Sequence, residues 1–184
     1  MELEAFATLA RSRRTNMVVD RSRDVPHELV RELCDLAQWA PNHKRTWPWR
    51  FALLEGDARA RVGSVMADVL AMRGVDSGRV EKTRGKYLRT PAVLVVGTGV
   101  GDSEERTAEN RDAVAAAIQT FMLGASAAGL ATYWGSCPLP CQAAVAAECG
   151  FDSGTHVTAM IYLGWPIGEA AVPERPPVEV AFLS

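Results

Sequence analysis

The sequence has little net charge of either sign, and this excludes one large class of function. Its 184 residues include 20 Lys and Arg and 22 Asp and Glu, which gives a formal net charge of -2. A protein that attracts nucleic acid through its overall electrostatic field carries a clear excess of basic residues. We therefore expect no nucleic-acid partner, and any anion must be bound by a local group of side chains.

The sequence also lacks a metal-binding or redox motif. Its four cysteines are Cys34, Cys137, Cys141 and Cys149. Cys137 and Cys141 are separated by three residues, whereas zinc knuckles and thioredoxin-like pairs have two, and no group of histidines completes a tetrahedral site. We predict no metal site and interpret all four cysteines as small buried apolar residues.

A secretory signal is missing from the first residues, which do not have the required basic and apolar regions. Free cysteines are typical of a reducing compartment. The expected location is therefore the cytoplasm.

No stretch is long and apolar enough to cross a membrane, which requires about 20 strongly apolar residues. The nearest candidate, residues 112–130, consists largely of weakly hydrophobic Ala and Gly and is interrupted by Gln119, Thr120 and Ser126. We expect no membrane partner. The segment instead predicts a helix that is buried on all sides.

The same helix is rich in small residues. Gly124, Ala128 and Gly129 would let another backbone approach closely, so the helix could also pack against a second copy of the chain.

The chain shows no internal repeat and no low-complexity linker, and 184 residues suit a single core. We therefore predict one α+β domain over residues 1–184. The hydrophobic pattern predicts helices around Leu3–Leu9, Leu29–Ala40, 58–73 and Gln142–Cys149, and strands at Trp49–Leu54, Pro91–Gly97, Ala131–Trp134 and Val157–Leu163. The apolar run at Pro91–Gly97 has no alternation, which indicates a strand covered on both faces. The proline-rich tail from Trp165 onward is expected to wrap the surface or a partner subunit.

The segment Arg11–Thr15 (RSRRT) is the densest group of positive charge. Guanidinium groups bind phosphate through two parallel hydrogen bonds, and hydroxyls and backbone amides complete such a site. The alternative is a solvated basic loop whose arginines interact with the C-terminal dipole of the preceding helix. The residues alone leave both interpretations open.

A second segment, Ala40–Phe51 (APNHKRTWPWRF), combines hydrogen-bonding side chains with two prolines and two tryptophans. This composition suits a surface that binds a flat polar ring system. Because no other ligands accompany His43, hydrogen bonding is its expected role, although a lone histidine is more often structural. Trp49 and Phe51 are expected in the core.

Two glycine-containing segments are candidates for a ligand site formed by backbone amides. Gly97–Gly101 (GTGVG) does not match the dinucleotide fingerprint, and the carboxylates that follow would repel a pyrophosphate, so we interpret it as a turn. Gly135 follows Tyr133 and Trp134 and could bring backbone amides close to a ligand. A simple strand end is an equally good interpretation of that segment.

Taken in order, five segments resemble the nitroreductase family of flavoproteins, especially its short bacterial branch. They are the Arg-Arg-Thr loop, the APNHKRTWPWRF block, the KYLRTPAVLVV strand, the AAIQTFMLGASAAGLATYWGS unit and YLGWP near the end. The resemblance covers nearly the whole chain. It implies an α+β fold with a central, mainly antiparallel sheet flanked by helices. It also implies an intertwined homodimer with two FMN molecules at the interface, each in contact with both subunits.

The resemblance assigns the predicted site residues to three parts of FMN. Arg13, Arg14 and Thr15 would hold the phosphate, with Arg175 as a contributor from the C-terminal tail. The other subunit would supply Pro41, Asn42, His43 and Arg45. Tyr133, Trp134, Gly135 and Ser136 would line the isoalloxazine ring, with a backbone amide facing the reactive ring nitrogen, and Lys86 would reach the pyrimidine edge, where a cation stabilises the reduced anionic flavin.

The implied function is hydride transfer from NADPH or NADH, through FMN, to a small-molecule acceptor such as a nitroaromatic or a quinone, in a ping-pong cycle. Because FMN carries the chemistry, the absence of a convincing protein nucleophile or acid-base pair is expected.

Two positions depart from the family pattern. Met17 and Val18 stand where another basic residue is common, which removes one expected phosphate contact. Trp47 stands where Gln often precedes the Pro-Trp pair, which places a bulky ring near the flavin or its entrance. If that ring covers the flavin, the alternative is a flavin-binding or flavin-storage protein with little turnover.

Overall fold

The computed structural model of this chain describes residues 2–183, and its centre is a five-stranded sheet. The strands are β1 (Val19–Asp20), β2 (Trp49–Leu54), β3 (Ala92–Thr98), β4 (Ala131–Gly135) and β5 (His156–Pro166). The long strand β5 pairs with β3 on one side and with β4 and β1 on the other, and β2 lies outside β3. All of these pairings are antiparallel, so the predicted sheet is confirmed.

Six α-helices surround the sheet within the described residues. They are α1 (Leu3–Ser12), α2 (His27–Ala37), α3 (Gly56–Met72), α4 (Ser77–Arg84), α5 (Glu104–Ala127) and α6 (Gln142–Glu148). Short 3-10 turns lie at His43–Arg45, Lys86–Arg89 and Leu139–Cys141.

Strand β3 is buried along its whole length because both faces of the sheet are covered. Leu94 and Val96 belong to the core that also contains α2 and α5, whereas Val93 and Val95 belong to the core that contains α3 and α6. Burial of a side chain of this size contributes about 1.5–3 kcal/mol. The prediction of a strand covered on both faces is confirmed.

Helix α5 differs from its prediction in two ways. It begins at Glu104, about two turns before Asp112, because the Ser103 hydroxyl accepts a hydrogen bond from the Arg106 amide at 3.1 Å and caps the helix. It is also not buried on all sides, because Ala108, Asp112 and Gln119 are exposed.

Two small residues, one near the end of α5 and one just after it, have roles within the same chain. A Cβ at Gly124 would lie 2.8 Å from Leu33 Cδ2, so this glycine lets α2 of the same chain pack closely. Gly129 follows the helix with a φ of 82°, the left-handed conformation that commonly ends helices.

The region between α3 and β3 contains structure that the sequence pattern did not predict. Helix α4 packs against α3, where a Cβ at Gly63 would lie 2.2 Å from the Arg84 carbonyl oxygen. Residues Lys86–Arg89, placed by the resemblance in a strand, form a 3-10 turn, and β3 begins only at Ala92.

The segment Gly97–Gly101 is only partly a turn. Gly97 and Thr98 continue β3, with a bulge between Val96 and Gly97. A Cβ at Gly97 would lie 2.5 Å from Thr155 Cγ2, so close packing explains this glycine.

Residues 169–183 have no regular secondary structure, and almost all are exposed. Their apolar members include Val172, Val178, Phe182 and Leu183. Within residues 2–183, no helix combines the length and apolar character that a membrane crossing requires.

Candidate functional site

The Arg-rich loop lies against the beginning of β4. Thr15 forms an isolated parallel bridge with Thr132, and the Asn16 amide donates to the Thr132 carbonyl at 3.1 Å. Backbone pairing between segments so distant in sequence fixes the loop beside the strand that carries Tyr133 and Gly135. Two of the predicted site segments are therefore neighbours in the fold.

Asn16 holds this loop in place, although the sequence analysis did not single it out. Its Oδ1 accepts from the Val18 amide at 2.8 Å, and its Nδ2 donates to the Gly168 carbonyl at 3.0 Å. An Asn side chain that binds the backbone two residues on is a common turn-forming signal. This signal is present in the sequence and could have identified the residue.

The guanidinium of Arg14 is directed into its own loop. Its NH1 donates to the carbonyl oxygens of Arg11 and Arg13, the latter at 2.9 Å. Its Nε is buried and has no hydrogen-bond partner among the described residues. An unpaired buried donor typically costs about 1–3 kcal/mol, and more when the group is charged.

A cavity of about 430 Å³ opens beside this loop. Arg13 and Arg14 line it together with Thr132, the backbone at Gly168, and Glu169. Two guanidinium groups beside β4, one of them with an N–H that is unpaired among the described residues, can bind an anion such as a phosphate.

At its other end, β4 offers a flat and partly open surface. Tyr133 packs edge-on against Tyr162 with ring centroids 5.5 Å apart, Trp134 is partly exposed, and Ser136 is exposed. A Cβ at Gly135 would lie 3.1 Å from Tyr162 Cε2, so a larger residue would require the tyrosine ring to shift by a few tenths of an ångström. Ser136 and Cys137 line a second cavity, of about 820 Å³, which extends to the start of α5.

Lys86 lies near this end of β4. Burial lowers the pKa of its half-buried amine, and the neighbouring Arg89 lowers that pKa further, whereas the Cys137 thiol acts in the opposite direction. Burial raises the pKa of the Cys137 thiol to about 12, so it stays neutral. Lys86 therefore places a cation near the end of the strand.

The predicted interpretation of the cysteines as buried residues holds fully for two of them. Cys137 and Cys141 are buried, while Cys34 and Cys149 are half-buried. Burial raises the pKa values of Cys34 to about 12 and of Cys149 to about 11. None of these thiols is activated as a nucleophile.

His43 contacts two charged side chains of α5, Arg106 and Glu109, which the sequence analysis did not identify. Its Nδ1 lies 2.8 Å from Glu109 Oε1 and 3.1 Å from Arg106 NH1, and Arg106 also contacts Glu109. The hydrogen bond from His43 lowers the pKa of Glu109, and the charge of Arg106 lowers it further.

The backbone after His43 is strained. Lys44, Arg45 and Trp47 have φ values of 61°, 53° and 49°, which non-glycine residues rarely adopt. Each such conformation costs on the order of 1–3 kcal/mol and tends to occur at functional sites. Trp47 is 55% exposed and contacts Trp49 edge-on at 5.9 Å.

Side-chain hydrogen bonds hold this strained loop. Asn42 Oδ1 accepts from the Trp47 amide at 2.9 Å, and Thr46 Oγ1 donates to Asn110 at 2.6 Å. The buried Asn110 in turn donates to the Gly99 carbonyl at 3.0 Å. The loop is thereby fixed to the N-terminal half of α5.

The structure does not bring all predicted site residues together within one chain. The loop with Pro41, Asn42, His43 and Arg45 contacts α5 near Asn110, whereas the Arg13 cavity reaches α5 at Ser126. Between these points α5 rises by about 24 Å. Arg175 lies in the exposed tail and does not line the cavity.

Metal ligands are not clustered anywhere in residues 2–183, since no group of three or more His, Cys, Asp or Glu side chains converges there.

Comparison with known proteins places the chain in a family. The model of the nitroreductase family matches residues 10–165. "Putative NAD(P)H nitroreductase YdjA" of Escherichia coli is 26% identical over 149 residues, which is 79% of this chain and 80% of the relative.

Two solved structures have the same fold. A nitroreductase-like family protein from Bacillus cereus superposes with a TM-score of 0.83 at 23% identity, over 98% of both chains. The FMN-dependent nitroreductase NfnB from Mycobacterium smegmatis, solved in complex with NADPH, superposes with a TM-score of 0.68 at 20% identity, over 89% of this chain and 88% of that chain. The predicted fold is confirmed, and the family match covers most of the chain: it belongs to the nitroreductase family.

Proposed function

We propose that this protein is an FMN-dependent oxidoreductase that takes hydride from NADPH or NADH and passes electrons to a small-molecule acceptor. The observation that carries the proposal is the cavity beside β4, which Arg13 and Arg14 line and where the buried Nε of Arg14 has no hydrogen-bond partner among the described residues. The names of the relatives, which include NAD(P)H and FMN-dependent nitroreductases, support the same cofactors.

The residues present at this cavity fit the phosphate of FMN. Arg13 has no carboxylate within ion-pair distance in residues 2–183, and Arg14 has a free Nε, so both can donate to phosphate oxygens. Hydrogen bonds between two charged groups are about twice as strong as neutral ones. Thr15, fixed beside Thr132, would add its hydroxyl.

The ring would lie along β4 toward Ser136. When bound, FMN supplies the hydride-accepting and hydride-donating chemistry. The backbone at Gly135 and Ser136 would donate to the ring, and Tyr133 and Trp134 would line its face. Lys86, near the end of the strand, would place a positive charge at the pyrimidine edge and stabilise negative charge there.

A homodimer would complete the site. Residues 41–45 and the Arg13 cavity lie at points separated by about 24 Å along α5, so one chain does not place both at one flavin. The exposed stripe of α5, with Ala108, Asp112 and Gln119, offers a surface for a second copy. We propose that the second copy contributes Pro41, Asn42, His43 and Arg45, and that the tail carrying Arg175 becomes ordered on the assembled dimer.

The acceptor would bind where the nicotinamide had been, which gives a ping-pong cycle. Nitroaromatics and quinones are the proposed acceptors, since both are flat and both accept electrons from reduced flavin. The test is a steady-state experiment in which NADPH and a nitroaromatic or quinone are varied together. We expect parallel double-reciprocal lines. Intersecting lines would contradict the cycle.

Flavin storage with little turnover is a second candidate, and Trp47 is the observation that favours it. Its exposed ring is held in a strained backbone conformation beside the predicted flavin-contacting loop. If the Trp47 ring covered the flavin, nicotinamide could not stack on it. Tight FMN binding without reduction by NADPH or NADH would establish this alternative.

A further inference from the structure

A basic groove lies beside the candidate flavin site and has no assigned role. It encloses about 590 Å³, which is within the range of small-ligand sites. Its lining consists of four cationic residues and three small or polar residues: Arg79, Lys82, Lys86, Arg89, Gly78, Thr83 and Gly85.

The positive charge of this groove is not neutralised within the chain. In residues 2–183, none of its four cations lies within ion-pair distance of a carboxylate. Arg84, on the same helix but outside the groove, pairs with Asp68 at 3.0 Å and with Glu81 at 3.3 Å. The contrast shows that acidic partners are available to α4 and are directed away from the groove.

One of the cations, Lys86, is held in a costly position, and a second, Arg89, is fixed beside it. The Lys86 amine is half-buried next to the like charge of Arg89, and both effects lower its pKa. Arg89 is fixed because its Nε donates to the Lys86 carbonyl at 3.1 Å and its guanidinium lies 5.5 Å from the Tyr162 ring centroid. An anion between these groups would offset both the repulsion and the loss of hydration.

The other two cations line the groove from α4. Arg79 and Lys82 are three residues apart, so they lie on the same face of the helix. Both are exposed and can move to meet a ligand. Together the four residues can surround a group that carries more than one negative charge.

We propose that this groove binds the phosphate groups of the dinucleotide electron donor, above all the dianionic 2′-phosphate of NADPH, and thereby favours NADPH over NADH. The proposal rests on the proposed function, since it takes the hydride acceptor to lie along β4. Lys86 joins the two places, because it lines the groove and lies near Cys137 at the end of that strand. A donor whose nicotinamide stacks at the end of β4 would then extend its phosphates toward Arg79 and Lys82.

The first test measures binding without any redox reaction. Adenosine 2′,5′-bisphosphate and 5′-AMP are titrated calorimetrically into the FMN-loaded protein, into the double variant Arg79→Gln/Lys82→Gln and into the control Arg84→Gln. We expect the double variant to weaken binding of the bisphosphate at least about tenfold, as the loss of charge-assisted contacts implies. The Arg84→Gln protein should bind like the parent, although it also loses a positive charge from the same helix. Equal bisphosphate affinity in all three proteins would overturn the proposal.

The second test separates this proposal from the proposed function. Anaerobic flavin reduction is followed with NADPH, with NADH and with N-benzyl-1,4-dihydronicotinamide, which carries no phosphate. In the double variant we expect slower reduction at low NADPH concentration and an unchanged rate with the benzyl donor. Failure of every donor to reduce the parent protein would contradict the proposed function. The bisphosphate titration would still show whether the groove binds the 2′-phosphate.

An anionic acceptor is the other source of negative charge that the groove could meet. In that case the double variant would raise the KM for 4-nitrobenzoate relative to nitrobenzene and leave flavin reduction by NADPH unchanged. That result would overturn the assignment to the donor.

Discussion

Among single residues, Arg14 is the one whose replacement has the most specific expected effect on FMN binding. Its buried Nε has no hydrogen-bond partner among the described residues, and a phosphate oxygen of FMN would accept its hydrogen bond. Replacement by Ala removes a charge-assisted contact that is typically worth about 1.5–3 kcal/mol. We therefore expect Arg14→Ala to weaken FMN binding about tenfold to a hundredfold, measured by fluorescence titration of the apoprotein.

Arg11 supplies the matched control for this experiment. It lies in the last turn of α1, three residues before Arg14, and is exposed, and its side chain makes no hydrogen bond in residues 2–183. Arg11→Ala should change FMN binding by no more than about 0.5 kcal/mol, as is usual for exposed positions. Equal losses in the two variants would show that general positive charge, and not the position of Arg14, binds the phosphate.

The His43–Glu109 contact gives a pH-dependent prediction. The pKa of Glu109 is lowered below its usual 4.5, first by the hydrogen bond from His43. A lowered carboxyl pKa stabilises the folded loop above pH 4.5, and this stabilisation is lost as the pH falls through the lowered pKa. We expect His43→Ala to raise the midpoint of the Glu109 titration toward 4.5, as measured by carboxyl-carbon NMR. An unchanged midpoint would show that Arg106 alone sets this pKa.

At the scale of elements, the packing of α3 on α4 depends on Gly63. A Cβ there would lie 2.2 Å from the Arg84 carbonyl oxygen, and backbone cannot move aside as a side chain can. We expect Gly63→Ala to lower the free energy of unfolding by about 1–3 kcal/mol in a urea titration, as overpacking usually does. Gly85→Ala is the control, because a Cβ at Gly85 meets nothing within 4 Å. A neutral Gly63→Ala would mean that the two helices are farther apart.

The C-terminal tail is the element with the strongest expected link to assembly. Its exposed apolar side chains include Phe182, which is 92% exposed, and Val178, which is 87% exposed. Apolar residues at this density are typical of a segment that packs against a partner. We expect deletion of residues 171–184 to leave the helix and strand content intact and to shift the protein from dimer toward monomer in sedimentation velocity. A dimer of unchanged stability would contradict this role.

At the scale of the whole molecule, the sequence predicted the sheet better than the helices. The apolar runs at Trp49–Leu54 and Ala92–Thr98 have few alternatives to buried strands, and both lie close to their predicted bounds. Helix α4 has almost no apolar residues, and its position depends on the close approach at Gly63, so no local pattern indicated it. The first two turns of α5 are also polar, so no apolar pattern indicated them. Only the capping residue Ser103 marked where this helix begins.

For the candidate site too, short segments of sequence were informative, whereas contacts between distant residues could not be predicted. The basic loop and the aromatic block were evident from composition, and the resemblance to the family ordered them. Their surroundings depend on contacts between distant residues, such as the bridge from Thr15 to Thr132 and the bond from His43 to Glu109. The left-handed conformations of Lys44 and Arg45 could not be predicted, because neither residue type favours them.

We infer that this chain binds FMN and exchanges electrons through it. The most direct measurement is the absorbance spectrum of the purified protein, recorded after incubation with FMN and desalting, and again after anaerobic addition of NADPH or NADH. We expect a yellow protein that retains its flavin spectrum through desalting and is bleached by the nucleotide. A folded protein that stays colourless after exposure to FMN would contradict it.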